Sequence, residues 1–458
     1  MFLIKKFNKI KKNIAIITDD NKKYTYEKLQ KKINSFSKKI NKRSLCFVLC
    51  ENDFSTIIAY LGFLNSNSVI ALIDQNIKIT SLKNLINLYE PEYIFGDDTK
   101  NSFILNNYKK SYLKKKYLME RKDIKNMKRR FHKDLCLLIS TSGTTGSPKL
   151  VKLSYLNLES NIASISKYLN IKSNDTTITT LPLSYVYGLS ILNTHLYNGG
   201  KIVLNNTSLI QKNFWKRLND LKVTSFGGVP YLYKIILKLK YLNKSYPYLK
   251  YLTVAGGKLD EKNLLELNNI LKKDKTKLII MYGAAEATAR MSYVPYKYLE
   301  DKINSIGIPI PGGKLKIRKN KSKFGEIIYE GKNVFMGYAK NFKDLNSKID
   351  NNFKLNTGDI GFKDKDGFFY INGRKDRFIK IFGLRINLDE IQNILLNNNI
   401  ENVCKFDGKN KIFIFYKDNI KEDIVRNVIL EYINLHPSIF ELRKVKKFQI
   451  SNNFKVIL

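Results

Sequence analysis

A short apolar run, Leu135-Cys136-Leu137-Leu138-Ile139, reads as a buried strand and gives way to Ser140-Thr141-Ser142-Gly143-Thr144-Thr145-Gly146-Ser147-Pro148-Lys149. Small hydroxyl residues and two glycines let backbone N–H groups turn inward on a polyphosphate, and Lys149 adds a compact positive charge. A Ser/Thr/Gly surface loop has a similar composition. The ordered pattern TSGTTG-x-PK, however, should arise by chance in fewer than about one chain per million. The phosphate-loop consensus GxxxxGK[ST] is absent, so this is not an ordinary P-loop.

Further candidates stand at the ends of other short apolar runs. Leu252-Thr253-Val254-Ala255 ends at Gly256-Gly257-Lys258, and Leu278-Ile279-Ile280-Met281 ends at Tyr282-Gly283-Ala284-Ala285-Glu286. Ligands of open α/β sheets bind at such strand ends, and a carboxylate among backbone and water oxygens is what Mg²⁺ prefers. Thr357-Gly358-Asp359 offers a carboxylate able to accept two hydrogen bonds at once, and Gly373-Arg374-Lys375-Asp376-Arg377-Phe378-Ile379-Lys380 follows.

The elements that must position these residues alternate between strand and helix. A helix is expected from Tyr24–Leu29, a strand over Leu45–Leu49, a helix over 55–65 and a strand over Val69–Asp74. Leu158, Ile162, Ile165 and Leu169 recur at helical spacing, and Thr176–Thr180 reads as a strand. The alternation predicts parallel, doubly wound sheets. From about 305, SIGIPIPGG, GEIIYEG and DGFFYINGR read as antiparallel strands joined by glycine turns. Past Arg374 a compact α+β tail is expected. Asn387 and Glu390 would start a helix, Ile412–Tyr416 a strand, and Ile424, Val428 and Tyr432 mark a last helix. The basic segment 108–133, rich in lysine and arginine from Lys109 to Arg130, predicts a solvated connection, with docking of an acidic partner as the alternative.

Taken in order, these stretches resemble the signature motifs of the adenylate-forming (AMP-binding) superfamily of acyl- and aryl-CoA ligases, adenylation domains and firefly-type luciferases. The resemblance spans about Tyr24 to Lys455. It implies that Thr141, Ser142, Gly143, Thr144, Thr145, Gly146 and Lys149 hold the pyrophosphate side of ATP. Gly256, Gly257 and Lys258 would lie against adenine, and Tyr282-Gly283-Ala284 would complete the nucleotide site, with Tyr282 stacked on the base. The resemblance further makes Glu286 the magnesium ligand, Asp359 the acceptor for both ribose hydroxyls, and Arg374 a nucleotide contact. Asp376 becomes the hinge of a mobile C-terminal domain. The final Phe448-Gln449-Ile450-Ser451-Asn452-Asn453-Phe454-Lys455 resembles the family's lysine motif. Lys455 would then stabilise negative charge developing at phosphorus.

Leu181–Leu189 corresponds to the segment beside the family's acyl pocket, with Tyr185 and Tyr187 where a histidine often stands. Gly227 and Gly228, within Ser225–Pro230, would leave room for the acid. No Asp lies between 181 and 192 to pair an ammonium group, which favours a substrate without an α-amine. Three departures from the family pattern are Ala285 for threonine, Phe454 for glycine and Gln449 for proline.

The resemblance implies ATP-dependent formation of acyl-AMP, then transfer to a thiol, either coenzyme A or a carrier-protein phosphopantetheine. The alternative is a catalytically weakened homologue serving as a nucleotide- or protein-binding scaffold. The fold class expected is α/β: an N-terminal domain of doubly wound sheets with a small β-rich subdomain over 1–375, then a mobile α+β lid over 376–458.

Composition sets the remaining limits. At 458 residues, 43% hydrophobic, the chain can build more than one domain core. The net charge of +41 alone would suit nucleic acid, a membrane surface or an acidic carrier protein. The lysines are spread over the whole chain, however, so no specific nucleic-acid partner is expected. Cys46, Cys50, Cys136 and Cys404 sit in or beside apolar segments without a CxxC pair and read as buried thiols. His132, His195 and His436 lack metal-ligand spacing. The N-terminus is basic without an apolar core and no run is long enough to span a bilayer, so a cytoplasmic location is expected.

Overall fold

Leu45–Cys50 and Val69–Asp74 are apolar on both faces, as strands covered by helices on each side must be. In the computed structural model the described residues are 3, 7–97, 107–113, 116–127, 129–140, 149–318, 323–347, 352–381, 384–408, 410–432, 436–450 and 456–457. Those two strands pair in parallel at the centre of an eight-stranded sheet. Next to Val69–Asp74 lies β1 (Leu135–Ser140), whose end leads into the Ser/Thr/Gly loop. Leu150–Ser154 and the short strand Tyr338–Ala339 complete that margin in antiparallel fashion.

The opposite margin corrects an expectation. The basic segment is not a solvated connection: Tyr108–Leu113 and Lys116–Arg121 form an antiparallel hairpin that extends the sheet through Tyr93–Gly96. Lys116, 3% exposed at its side chain, lies 2.6 Å from Glu51, 3.3 Å from Asp53 and 3.4 Å from Asp97. Arg129, 9% exposed at its side chain, lies 2.5 Å from Glu90.

Ser154 then caps α1 (Tyr155–Tyr168), exchanging hydrogen bonds with Asn157 in a capping box. α2 (Val186–Asn198) follows and ends at Gly199, whose φ of +79° terminates the helix. Both pack near the parallel centre of a thirteen-stranded sheet, formed by Thr176–Ile178, β2 (Ser225–Gly228), β3 (Tyr251–Val254) and β4 (Lys277–Tyr282). Beyond β4 the sheet becomes antiparallel through Ser292–Tyr293 and Ser305–Pro309, as the glycine-rich sequence predicts. The far part includes Gly325–Gly331, β5 (Lys354–Lys363) and β6 (Phe369–Arg374).

The β5–β6 ladder contains a bulge. Gly361 pairs with Ile371, but Ile360 pairs with Gly373, leaving Asn372 as the extra residue. The shift in register sets Asp359 opposite Arg374.

After β6 come a hairpin (Phe378–Ile381 with Leu384–Asn387), α3 (Leu388–Asn397) and a three-stranded sheet of Asn402–Phe406, Ile412–Lys417 and Phe440–Val445. Residues from Ile379 to Ile439 form their own apolar cluster. The side chain of Asn387 caps α3 by accepting from the N–H of Asp389. In the last helix, Glu422–Tyr432, the buried face is Val425, Val428 and Ile429. Ile424 and Tyr432, expected on that face, are 49% and 53% exposed. All four cysteines are buried free thiols, as their apolar settings predict.

Candidate functional site

The expected site residues gather where strand ends of the two large sheets meet. Thr141, Ser142, Gly143, Thr144, Thr145 and Gly146 lie outside the described residues, as does Lys455. Lys149, at the loop's exit, is described. Its ammonium sits 3.4 Å from the ring centroid of Tyr338, a cation–π contact. The Tyr338 hydroxyl donates to Oε1 of Glu286 at 2.8 Å. Burial foremost, and then the Glu286 charge, push the Tyr338 phenol well above its usual range, so it stays protonated as a donor. Lys149 and Glu286, 137 positions apart, are thus linked through one tyrosine.

β4 delivers the next group. Its last residue, Tyr282, donates its hydroxyl to Oδ2 of Asp359. A Cβ on Gly283 would lie 1.8 Å from the carbonyl oxygen of Ala289, so no side chain fits there. Glu286 follows in a single 3₁₀ turn, half-buried. The methyl of Ala285 packs on the apolar core.

Asp359 receives Tyr282 on one carboxylate oxygen and the Arg374 guanidinium, 3.2 Å away, on the other. Its own N–H donates to Thr357 Oγ1 at 3.0 Å, and Gly358 holds a φ of +74° in the turn before it. Burial raises the carboxyl's pKa, while the Tyr282 hydrogen bond and the Arg374 charge pull it back down. Arg374 is 59% exposed at its side chain and Asp376 is exposed.

Gly256, with φ of +86°, lies against Tyr185: its Cβ would meet the tyrosine hydroxyl at 2.7 Å. Gly257 and Lys258 are exposed beside it. Gly227 and Gly228 do less to leave room than expected. A Cβ on Gly228 would fall 2.8 Å from the Tyr233 ring, and one on Gly227 would fall 2.8 Å from the Tyr187 hydroxyl. Tyr187 is buried, its hydroxyl 2.9 Å from the Thr253 carbonyl and 2.7 Å from Thr253 Oγ1.

Two residues escaped the sequence reading. Tyr338 joins Lys149 to Glu286; its only trace in sequence is the preceding Gly337, whose φ of +99° turns the chain. Arg290 is 3% exposed, its guanidinium 3.9 Å from the Tyr187 ring centroid. A single cation in the apolar stretch Ala289–Val294 was the available signal.

Residues 5–339 match the family model described as AMP-binding enzyme. The 2-succinylbenzoate–CoA ligase of Oceanobacillus iheyensis is 30% identical over 266 residues, covering 57% of this chain and 54% of that protein. The oxalate–CoA ligase of Arabidopsis thaliana is 30% identical over 276 residues, covering 58% and 53%. The matched stretch thus spans about half the length of those relatives. The fold superposes on O-succinylbenzoate coenzyme A synthetase (MenE) from Bacillus subtilis, in complex with ATP and magnesium, with a TM-score of 0.80 at 18% identity. That match covers 99% of this chain and 97% of the other. ATP-bound MatB from Rhodopseudomonas palustris gives the same TM-score and identity, covering 99% and 96%.

Proposed function

Because the chain belongs to the AMP-binding enzyme family, we propose that it condenses a carboxylic acid with ATP to acyl-AMP and then passes the acyl group to a thiol. The observation that carries this reading is two linked pairs near one another: Lys149 with Glu286 through Tyr338, and Tyr282 with Arg374 through Asp359, the Arg374 charge acting on the Tyr338 hydroxyl.

In the first step a carboxylate oxygen attacks the α-phosphorus, and the bond to the β-phosphate breaks to release pyrophosphate. Lys149 and the loop before it neutralise the departing pyrophosphate. Asp359 has lone pairs left for ribose hydroxyls even with its present partners. Gly256, Gly257 and Lys258 lie at the base, with Tyr282, Gly283 and Ala284 beside them. Lys455 is the cation assigned to the reacting carboxylate and α-phosphate, and Lys149 stays with the leaving group.

Among the described residues no three His, Cys, Asp or Glu side chains gather as a metal cage. A half-buried Glu286 held by Tyr338 suits Mg²⁺, which takes one or two carboxylates and otherwise phosphate and water oxygens. Bound there, the ion offsets phosphate charge. The chain's own part is to orient Glu286 through the Tyr338 hydroxyl.

Coenzyme A is the preferred acceptor, since the relatives named above are CoA ligases. An acidic carrier protein has only the basic composition in its favour. We place the boundary between the domains at 375/376. The separate apolar cluster beginning at Ile379 supports it, and Asp376 would be the hinge. Among the described residues no helix is long and apolar enough to cross a membrane.

Pyrophosphate exchange into ATP across a panel of carboxylic acids tests the reading. Exchange is expected with at least one acid. Lys455→Ala should abolish it while sparing thioester formation from supplied acyl-AMP. Equal loss of both half-reactions would remove Lys455 from its role, and ATP binding without exchange for any acid would leave a scaffold.

A further inference from the structure

Beneath the proposed acyl site lies a small, partly open cavity between α1, α2 and the parallel strands. Tyr187, Ser225, Tyr251, Thr253, His195 and Arg290 are among its polar lining. Ile165, Leu169 and Phe226 contribute apolar carbon.

Arg290 is the unusual member. Its Nε donates to Met281 Sδ at 3.3 Å and its Nη1 to the Ala289 carbonyl at 2.8 Å. Among the described residues no carboxylate forms an ion pair with it, although it is 3% exposed. Buried Lys116 faces three carboxylates and Arg129, 9% exposed at its side chain, pairs with Glu90, whereas buried Lys152 is held by the Asp344 carbonyl and by the carbonyl and hydroxyl of Ser347. A guanidinium out of water without a counter-ion is costly unless something else brings one. Tyrosines surround it. The Tyr187 ring lies beneath it, and its charge acts on the hydroxyls of Tyr168 and Tyr185. None of these supplies a negative charge at neutral pH.

The cavity adjoins the strand that ends at the nucleotide site. Successive residues of a strand point to opposite faces, so Met281 lines the cavity while Tyr282 turns to Asp359. Tyr185 reaches from Arg290 toward Gly256.

We propose that this cavity holds the far end of a compact dicarboxylic acid, with Arg290 as the counter-ion of the carboxylate that does not react. This assignment rests on the acyl-AMP reading and adds the substrate class to it. The near carboxylate points to the α-phosphate, and the far one takes the planar fork of Arg290. An uncharged acid of the same length would leave the guanidinium unpaired, so the pocket discriminates by charge.

The test compares short dicarboxylates with their monomethyl esters and with monocarboxylates of equal length. Acid-dependent pyrophosphate exchange is measured for the wild type and for Arg290→Met, which keeps bulk over Tyr187 without the charge. The wild type should prefer a dicarboxylate over its monoester by at least about 100-fold in kcat/KM. Arg290→Met should lose at least about tenfold of that preference through the KM for the acid. If Arg290→Met does not fold, Arg290→Lys, which keeps the charge but loses the fork, should still lower the preference. Exchange supported by monocarboxylates and not by dicarboxylates overturns the proposal and leaves the acyl-AMP reading intact. Equal preference in wild type and variant overturns it as well. Should no acid support exchange, the acyl-AMP reading falls and a thermal shift decides the pocket. Stabilisation of the wild type by succinate or glutarate, absent in Arg290→Met, upholds the assignment, and no stabilisation overturns it.

Discussion

Asp359 is set between two opposing influences: burial resists its ionisation, and Arg374 with Tyr282 favours it. Its ability to accept from a nucleotide therefore fails on acidification sooner than that of an exposed aspartate. Removing the Arg374 charge should raise the carboxyl's pKa further. Arg374→Ala is accordingly expected to move the acid limb of ATP binding to higher pH, as titrations of affinity against pH would show. His195 follows the opposite sign. Its ring is buried in α2 with Nδ1 2.9 Å from the Ile191 carbonyl, and burial pushes its pKa down to about 4 from 6.5. The folded state therefore binds fewer protons than the unfolded chain in that window. Stability is complete above pH 6.5 and is lost as the pH falls through about 4, a difference worth about 3 kcal/mol. Denaturant unfolding of His195→Gln should show a flatter dependence over the same range. Neither environment is visible in sequence, where Asp359 is one turn residue and His195 one member of an apolar helix.

At the scale of elements, the apolar runs that stop at glycine or hydroxyl residues were readable, and β1, β3 and β4 lie where those runs predict. The hairpin of Tyr108–Leu113 and Lys116–Arg121 was not. Its charges mimic a solvated stretch, and the carboxylates that neutralise Lys116 come from Glu51, Asp53 and Asp97. Asp53 also caps the helix Phe54–Asn65 by accepting from the Thr56 N–H. Lys116→Ala would leave these acids facing one another and should cost about 3 kcal/mol, the penalty for breaking a buried pair from one side. Equilibrium unfolding would measure it. Tyr338 and Arg290 were illegible for a related reason: each matters only through what the folded sheets bring opposite it.

Across the whole molecule, the proposed hinge is anchored mainly within the lid, with a bond from Arg374 reaching it from the body. Arg377 reaches Asp389 at 2.8 Å and the Cys404 carbonyl at 2.7 Å, and also hydrogen-bonds Gln392. The N–H of Arg374 donates to the other oxygen of Asp389 at 3.1 Å. Arg377→Ala should free the segment from α3 and lower the thioester half-reaction by about tenfold. It should act less on pyrophosphate exchange, and the two assays run on one preparation would separate the effects. The order of motifs made two domains legible, whereas these ties depend on groups from separate elements, the Arg377 side chain, two side chains of α3 and the Cys404 carbonyl.

The bulge at Asn372 has a further consequence. The carbonyl of this surplus residue is what the Asn387 side chain grips at 2.7 Å, and Gly373 has no Cβ because that amide lies 2.8 Å from where one would sit. One extra position therefore offers a handle to the lid, while the ladder beyond it sets Arg374 opposite Asp359. Shortening the chain by that single position would keep the arginine in phase and remove the handle. Lineages that differ by an insertion or deletion here would diverge in how the lid is coupled before they diverge in how the nucleotide is held.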